Sequence, residues 1–253
     1  MRTRLIMGKH CLQETFKRSP ERILKVYTSK KEDPMIQLME KKGIEVEILP
    51  KHKLFSLVQS ESHQSFIAKV KELEPIDLKE FLTEERDQSL ILMCDGISDP
   101  QNFGAILRAS ECFKIDGVVF SKNRGVEITP VVSKVSVGAS EIIPIIRISN
   151  LADGIKKFQD EGYEIVTAEC KPDSVPLYSF TFPEKTVLVI GAEESGVQPL
   201  LSKRANFHVE IPMLGEIDSL NVSQATAVFL AAWRHQIHPR FRGNLRHRKR
   251  SID

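Results

Sequence analysis

The run Ser219-Leu-Asn-Val-Ser-Gln-Ala-Thr-Ala-Val-Phe-Leu places Ser, Asn and Ser on alternate positions directly ahead of an apolar stretch. One such residue is enough to cap a helix, a contribution of about 1 kcal/mol. The surplus leaves two readings open for Ser219 and Asn221, capping alone or a place in a binding site. A second polar group lies in Asp95-Gly-Ile-Ser-Asp-Pro-Gln-Asn-Phe-Gly-Ala-Ile-Leu-Arg108. Asp99-Pro100 signals a turn there, and Asn102 stands where a helix would be capped. Arg108 interrupts an otherwise apolar helix, so its guanidinium either snorkels to water or is aimed at an anion. Gly104, in the first helical turn, costs about 1 kcal/mol against Ala, which points to close approach by another part of the molecule. The third group is Val189-Ile-Gly-Ala-Glu-Glu-Ser-Gly196. A glycine loop after an apolar run suggests a phosphate cradle. Here Glu193 and Glu194 would repel a pyrophosphate, and neither GxGxxG nor GxxxxGK[ST] is present. A ligand without phosphates fits better; the alternative is a plain strand-to-helix turn whose acids favour the next helix N-terminus.

Such loops need a frame, and the hydrophobic pattern supplies one. Five apolar runs read as strands buried on both faces: Leu90–Cys94, Gly117–Phe120, Ile142–Ile146, Glu164–Ala168 and Thr186–Gly191. Helical stretches fall between and after them, at Phe103–Phe113, Ala152–Glu161 and Val222–His235. That alternation predicts a parallel sheet covered on both sides, with ligands bound beyond the carboxyl ends of its strands. Ahead of it, residues 1–72 read as a small α/β unit. Its helices are expected near Gly8–Arg18, Pro34–Lys42 and Leu54–Val58, and its strands at Arg22–Thr28, Ile44–Leu49 and Phe66–Val70. Residues 73–88, rich in acids, read as a linker with one or two helical turns.

The net charge of +2 conceals a segregation. Residues 1–72 hold 15 Lys and Arg against 9 Asp and Glu, residues 73–233 hold 14 against 24, and residues 234–253 hold 7 against 1. The basic ends suit a polyanion, and the tail from 238, with Arg240, Arg242 and Arg246, is expected to be flexible and to contact nucleic-acid phosphates. No apolar run approaches the roughly 20 residues of a membrane span. Four scattered cysteines, with no CxxC, fit a reducing compartment and offer no zinc site. Cys94 and Cys112 are expected to be buried free thiols.

Taken in order, Asn102…Arg108, Gly191-x-Glu193-x-x-Gly196 and Ile211-Pro-Met…Ser219-Leu-Asn-Val-Ser223 resemble the three motifs of the SpoU/TrmH family of RNA ribose 2′-O-methyltransferases. The N-terminal unit is similar to that family's substrate-binding domain, which is like ribosomal protein L30e. The family's closing His-Gln-Gly signature is here His63-Gln64-Ser65. Among members, the chain looks most like those that act on a guanosine of large-subunit ribosomal RNA, with transfer RNA as the alternative substrate.

The resemblance implies an L30e-like domain over 1–72, a linker over 73–88, an α/β SPOUT domain with a parallel sheet and a deep trefoil knot over 89–237, and the tail over 238–253. It implies S-adenosylmethionine as methyl donor, no metal, a cytoplasmic homodimer and an RNA partner. It assigns the donor to backbone groups of Gly191, Ile211 and Leu220, with Ala168, Gly196 and Val222 around them. It assigns Arg108 to catalysis, supported by Asn102, Glu193, Ser219 and Asn221, with Glu193 expected to hold either Arg108 or the Asn102 loop. RNA contacts are expected from His63 and Gln64 besides the tail. The rivals are a non-catalytic RNA-binding protein of the same fold and an ordinary nucleotide-binding α/β enzyme, against which the acidic glycine loop counts.

Overall fold

Three pairs, Asp33-Pro34, Asp99-Pro100 and Thr129-Pro130, each start a helix: the first side chain accepts a backbone N–H of the first turn, and proline occupies the position whose own N–H would go unpaired. The computed structural model describes residues 2–123 and 125–237. In chain order the elements are β1 (Thr3–Met7), α1 (Lys9–Arg18), β2 (Ile23–Thr28), α2 (Pro34–Lys41), β3 (Val46–Ile48), α3 (Lys51–Val58) and β4 (Phe66–Lys71). There follow α4 (Leu78–Thr83), β5 (Ser89–Asp95), α5 (Pro100–Cys112), β6 (Gly117–Ser121), α6 (Pro130–Val135), β7 (Ile145–Ile148) and α7 (Leu151–Asp160). The last are β8 (Glu164–Ala168), β9 (Val175–Pro176), β10 (Lys185–Gly191), α8 (Pro199–Lys203), β11 (Phe207–Glu210) and α9 (Val222–Ile237).

The larger sheet has seven strands, all parallel, in the order β7-β6-β5-β10-β8-β11-β9. Every residue of β5 is buried. Leu90, Leu92 and Cys94 face a core shared with α5, α6 and α9, while Ile91 and Met93 face a second core under α4, α7 and α8. That two-sided burial is why the strand reads as an unbroken apolar run. The chain fills one side of β5 with β6 and β7, then places β10 and β8 on the other. The strand order therefore reverses between β5 and β10, and the loops leaving those two strands open at the place where such sheets bind ligands.

The smaller sheet runs β1-β4-β2-β3, antiparallel except for the β2–β3 pair. Strand β1 was not expected: its Leu-Ile-Met core is short, and only pairing with β4 makes the segment a strand. Residues 78–83 form the helical turns expected in the 73–88 segment, and their Leu78 and Phe81 are buried in the second core. Three further expectations need correcting. The strand read at Ile142–Ile146 runs Ile145–Ile148, because the preceding residues turn through a 3₁₀ segment at Ala139–Glu141. Cys112 is exposed, since it lies at the end of α5 where the helix leaves the core; Cys94 is buried, and burial pushes its thiol well above the ordinary range. Asp99, not Asn102, is the cap of α5.

Gly104 lets α5 and α6 touch. A β-carbon there would fall 2.6 Å from Val135 Cβ and 3.2 Å from the Val132 carbonyl oxygen. The two sheets' layers are joined by a buried ion cluster. Glu141, with its side chain almost wholly buried, accepts from Arg4 and, at 2.9 Å, from Arg22. Ser140 Oγ donates to the same carboxylate at 3.0 Å, and Arg22 also donates to the Lys71 carbonyl. Removing one member of such a cluster strands the others in a dry interface. Glu141→Ala is expected to lower unfolding free energy by about 3 kcal/mol, measured by urea denaturation. Ser65 sits at φ +66, a left-handed conformation that only its tethers enforce: its N–H donates to His63 Nδ1 at 2.8 Å and its carbonyl accepts from Thr28 Oγ1 at 2.7 Å. Glycine takes that conformation without a β-carbon clash, so Ser65→Gly is expected to raise stability by up to about 1 kcal/mol in the same assay.

Candidate active site

Asn221 does two jobs at once. Its carbonyl oxygen accepts from Ala225 N–H at 2.9 Å and its Oδ1 accepts from Ser223 N–H at 2.9 Å, which makes it the cap of α9. Its Nδ2 points the other way and donates to Asn102 Oδ1 at 2.9 Å and to Glu193 Oε1 at 2.5 Å. Asn102 Nδ2 donates to the same Glu193 oxygen at 3.3 Å, and Val222 N–H approaches it at 3.4 Å. One carboxylate oxygen thus collects the first turn of α5, the first turn of α9 and the loop after β10. Both helices present their positive N-terminal ends to that charge. The side chains of Asn102, Glu193 and Asn221 are exposed or half-buried, so the cluster lines a mouth and is open to a ligand.

Helices α5 and α9 run side by side in the same direction. At their far ends Arg234 Nε donates to the Phe113 carbonyl at 2.7 Å, and its Nη2 donates to that of Lys114. Buried Trp233 and Phe229 fill the seam. Arg108 projects into solvent from α5, two turns beyond Asn102, and its guanidinium makes no hydrogen bond or ion pair among the described residues. Of the two partners expected for Glu193, the carboxylate takes Asn102 and not Arg108.

The glycine loop is closed on itself. Gly196 N–H donates to the Ala192 carbonyl at 2.8 Å, and Gly196 adopts φ +62. A β-carbon on Gly191 would lie 2.0 Å from the Gly196 carbonyl carbon and 2.3 Å from Val197 N, so no other residue fits. The loop's exit is held by Asp95, a buried carboxylate at the end of β5, which accepts from Gln198 N–H at 2.7 Å and from its side-chain amide. The third loop, 211–220, is almost wholly exposed, Ser219 and Leu220 included, while Val222 is buried at the start of α9. Ile211, just past β11, and Ala168, the last residue of β8, are half-buried. Ser219 makes no hydrogen bond among the described residues and stands outside the Glu193 cluster.

A second polar cluster forms around Glu169. Glu169, the residue after β8, accepts from Ser202 Oγ at 2.7 Å and pairs with Lys171 at 3.6 Å; His208 Nδ1 is also 3.6 Å away and meets Thr167 Oγ1 at 2.6 Å. It ties the exits of β8 and β11 to α8. Neither Asp95 nor Glu169 stands out in the sequence; the one legible signal is an acid directly at the end of an apolar run. His63 and Gln64 stand together in the smaller domain, far along the chain from this mouth, and the tail arginines Arg240, Arg242 and Arg246 lie outside the described residues. Among the described residues no group of His, Cys, Asp and Glu could hold a metal, and no helix is long and apolar enough to cross a membrane.

Residues 89–231 match the family model of the SpoU rRNA methylase family, and residues 5–76 match that of the RNA 2′-O ribose methyltransferase substrate-binding domain. The chain is 33% identical over 233 residues to the 23S rRNA (guanosine-2′-O-)-methyltransferase RlmB of Haemophilus ducreyi, covering 89% of this chain and 94% of that one. It is 33% identical over 234 residues to the RlmB of Escherichia coli K12, covering 89% and 96%. In fold it resembles an AdoMet-bound rRNA methyltransferase from Sinorhizobium meliloti, with TM-score 0.78, 20% identity, and 93% and 88% of the two chains covered. It also resembles the SpoU methyltransferase AviRb of Streptomyces viridochromogenes in complex with AdoMet, with TM-score 0.77, 18% identity, and 92% and 89% covered. The chain belongs to the SpoU family of S-adenosylmethionine-dependent RNA 2′-O-ribose methyltransferases.

Proposed function

We propose that the protein methylates the ribose 2′-hydroxyl of a guanosine in 23S ribosomal RNA. The observation that carries the reading is the convergence of three distant loops on the Glu193 carboxylate. The relatives that match 89% of the chain are named for that substrate. S-adenosylmethionine, when bound, supplies a methyl group made electrophilic by its sulfonium charge. The residues present fit such a group: the backbone crossing at Gly191 leaves no side chain in the way, and the loop's acids suit a cation and disfavour a phosphate. Backbone groups of Gly191, Ile211 and Leu220 would hold it, with Ala168, Gly196 and Val222 walling it.

Arg108 is free to meet RNA, having no internal partner among the described residues. A guanidinium does not give up its proton near neutral pH, so Arg108 is not a general base. Its role is to bind an RNA phosphate and steady the ribose oxygen as that oxygen loses its hydrogen to a phosphate oxygen or water. Asn102, Glu193 and Asn221 keep α5, which carries Arg108, in register with the donor loops; Ser219 would orient substrate from the third loop. Leu214, Ile217 and Leu220 expose apolar side chains beside this mouth, which supports a second copy covering them as a homodimer. The knot expected of the family and a cytoplasmic site of action, which the free cysteines suit, belong to the same reading.

Labelled S-adenosylmethionine incubated with unmodified 23S RNA and with transfer RNA tests this directly. Incorporation at one guanosine of the ribosomal RNA is expected; label in transfer RNA alone, or in neither, refutes the substrate assignment. Arg108→Ala is expected to lower kcat by about 100-fold or more while calorimetric donor binding stays unchanged. Arg108→Lys should recover little of that activity if the guanidinium grips its phosphate through two N–H groups. Gly191→Ala gives the opposite pattern: calorimetry should show no donor binding, because the added carbon occupies the Gly196 backbone.

A further inference from the structure

Of the positions assigned to the methyl donor, Ala168, Gly196 and Ile211 all lie beside elements that converge on Glu169. Ala168 directly precedes it and pairs in register with Val209 of β11. Glu169 N–H extends that pairing, donating to the Val209 carbonyl at 3.1 Å, two residues short of Ile211. The Glu169 carbonyl accepts from Ser174 Oγ at 2.8 Å, and the same oxygen of Ser174 accepts from Lys171 N–H at 2.8 Å. The chain leaving β8 is thus folded into a tight turn. The backbone of Glu169 is held on both sides before its carboxylate makes any contact.

The carboxylate then reaches across to α8. Its Oε2 accepts at 2.7 Å from Oγ of Ser202, a buried residue. Lys171 Nζ donates to that hydroxyl and stands 3.6 Å from the carboxylate, so hydrogen bonds run from lysine to serine to glutamate. His208 of β11 is also 3.6 Å from the carboxylate, and its Nδ1 meets Thr167 Oγ1 of the paired strand at 2.6 Å. α8 begins at Pro199, three residues after Gly196, so the seat of α8 sets where the glycine loop ends. A half-buried carboxylate is costly unless it is hydrogen-bonded or paired. Here every partner belongs to a segment that borders the donor's assigned wall.

We propose that Glu169 is a positioning residue for the methyl donor: its carboxylate fixes the exits of β8 and β11 and the start of α8 at the spacing the donor needs. It touches neither RNA nor the reacting atoms. The inference rests on the reading of Ala168, Gly196 and Ile211 as the donor's wall. It separates Glu169 from Arg108, because loss of Glu169 impairs donor binding and spares the chemical step.

The test uses the full chain, with S-adenosylmethionine binding measured by calorimetry and methyl transfer measured on 23S RNA over a range of donor concentrations. Glu169→Ala is expected to raise the donor Kd and the KM for the donor about tenfold, the scale of one lost hydrogen bond to a charged group. Its kcat at saturating donor should match that of the unaltered protein. Glu169→Gln keeps an oxygen to accept from Ser202 and should return the Kd to within about threefold of wild type. Glu141→Ala, which weakens the fold at the domain boundary, serves as the stability control and should leave the donor Kd where it was. An unchanged Kd in Glu169→Ala, or a fall in kcat with the donor KM unmoved, overturns the inference and leaves the proposed function standing. An equal loss of affinity in Glu141→Ala overturns it too, since instability alone would explain both. Ser202→Ala removes only the hydroxyl and carries the test if Glu169→Ala does not fold: the Kd should rise about threefold, and a wild-type value counts against the inference. An unaltered protein that binds no S-adenosylmethionine removes the donor reading itself.

Discussion

One carboxylate oxygen holds the site together. Glu193 is acidic, sits on a loop, and would ordinarily be solvated; here it is met by two carboxamides and a helix N-terminus. Each contact is modest singly, yet they join segments that are 91 and 28 residues apart along the chain. The loops that leave a parallel sheet are the least constrained part of the fold. A shared acceptor converts three of them into one surface. The charge has a further use: it sits where a cationic ligand would be welcomed and a polyphosphate turned away.

The frame behind this surface is conventional and stiff. β5 is buried along its whole length, α5 and α9 lie parallel in one seam, and Arg234 closes that seam at the end opposite Asn221. Asp95 and Glu169 work below the mouth, the first tying the glycine loop to β5, the second tying β8 and β11 to α8.

Most of the larger domain was legible because buried parallel strands carry an unambiguous pattern, as β5, β6, β8 and β10 do. The three site loops were legible as polar anomalies beside those strands, and Asn102, Glu193 and Asn221 do meet. The misses have physical causes. β1 becomes a strand only through a partner 60 to 68 residues away, so no local signal marks it. α6 and β11 are short, and their boundaries depend on packing against α5 and β8. The cap of α5 was misplaced because both Asp99 and Asn102 are good caps, and the proline at 100 favours the former. Glu169 escaped notice because two of its partners, Ser202 on α8 and His208 on β11, are brought to it only by the fold.

The cluster at Glu141 bears on how the molecule is made. Its two guanidinium partners, Arg4 and Arg22, precede it by 137 and 119 residues. During synthesis the first domain emerges well before its counter-charge exists: Arg22 can already donate to the Lys71 carbonyl, but both guanidiniums lack their carboxylate until residue 141 is made. The final docking of the two halves is therefore a late event in biogenesis, gated by translation of a single acidic residue.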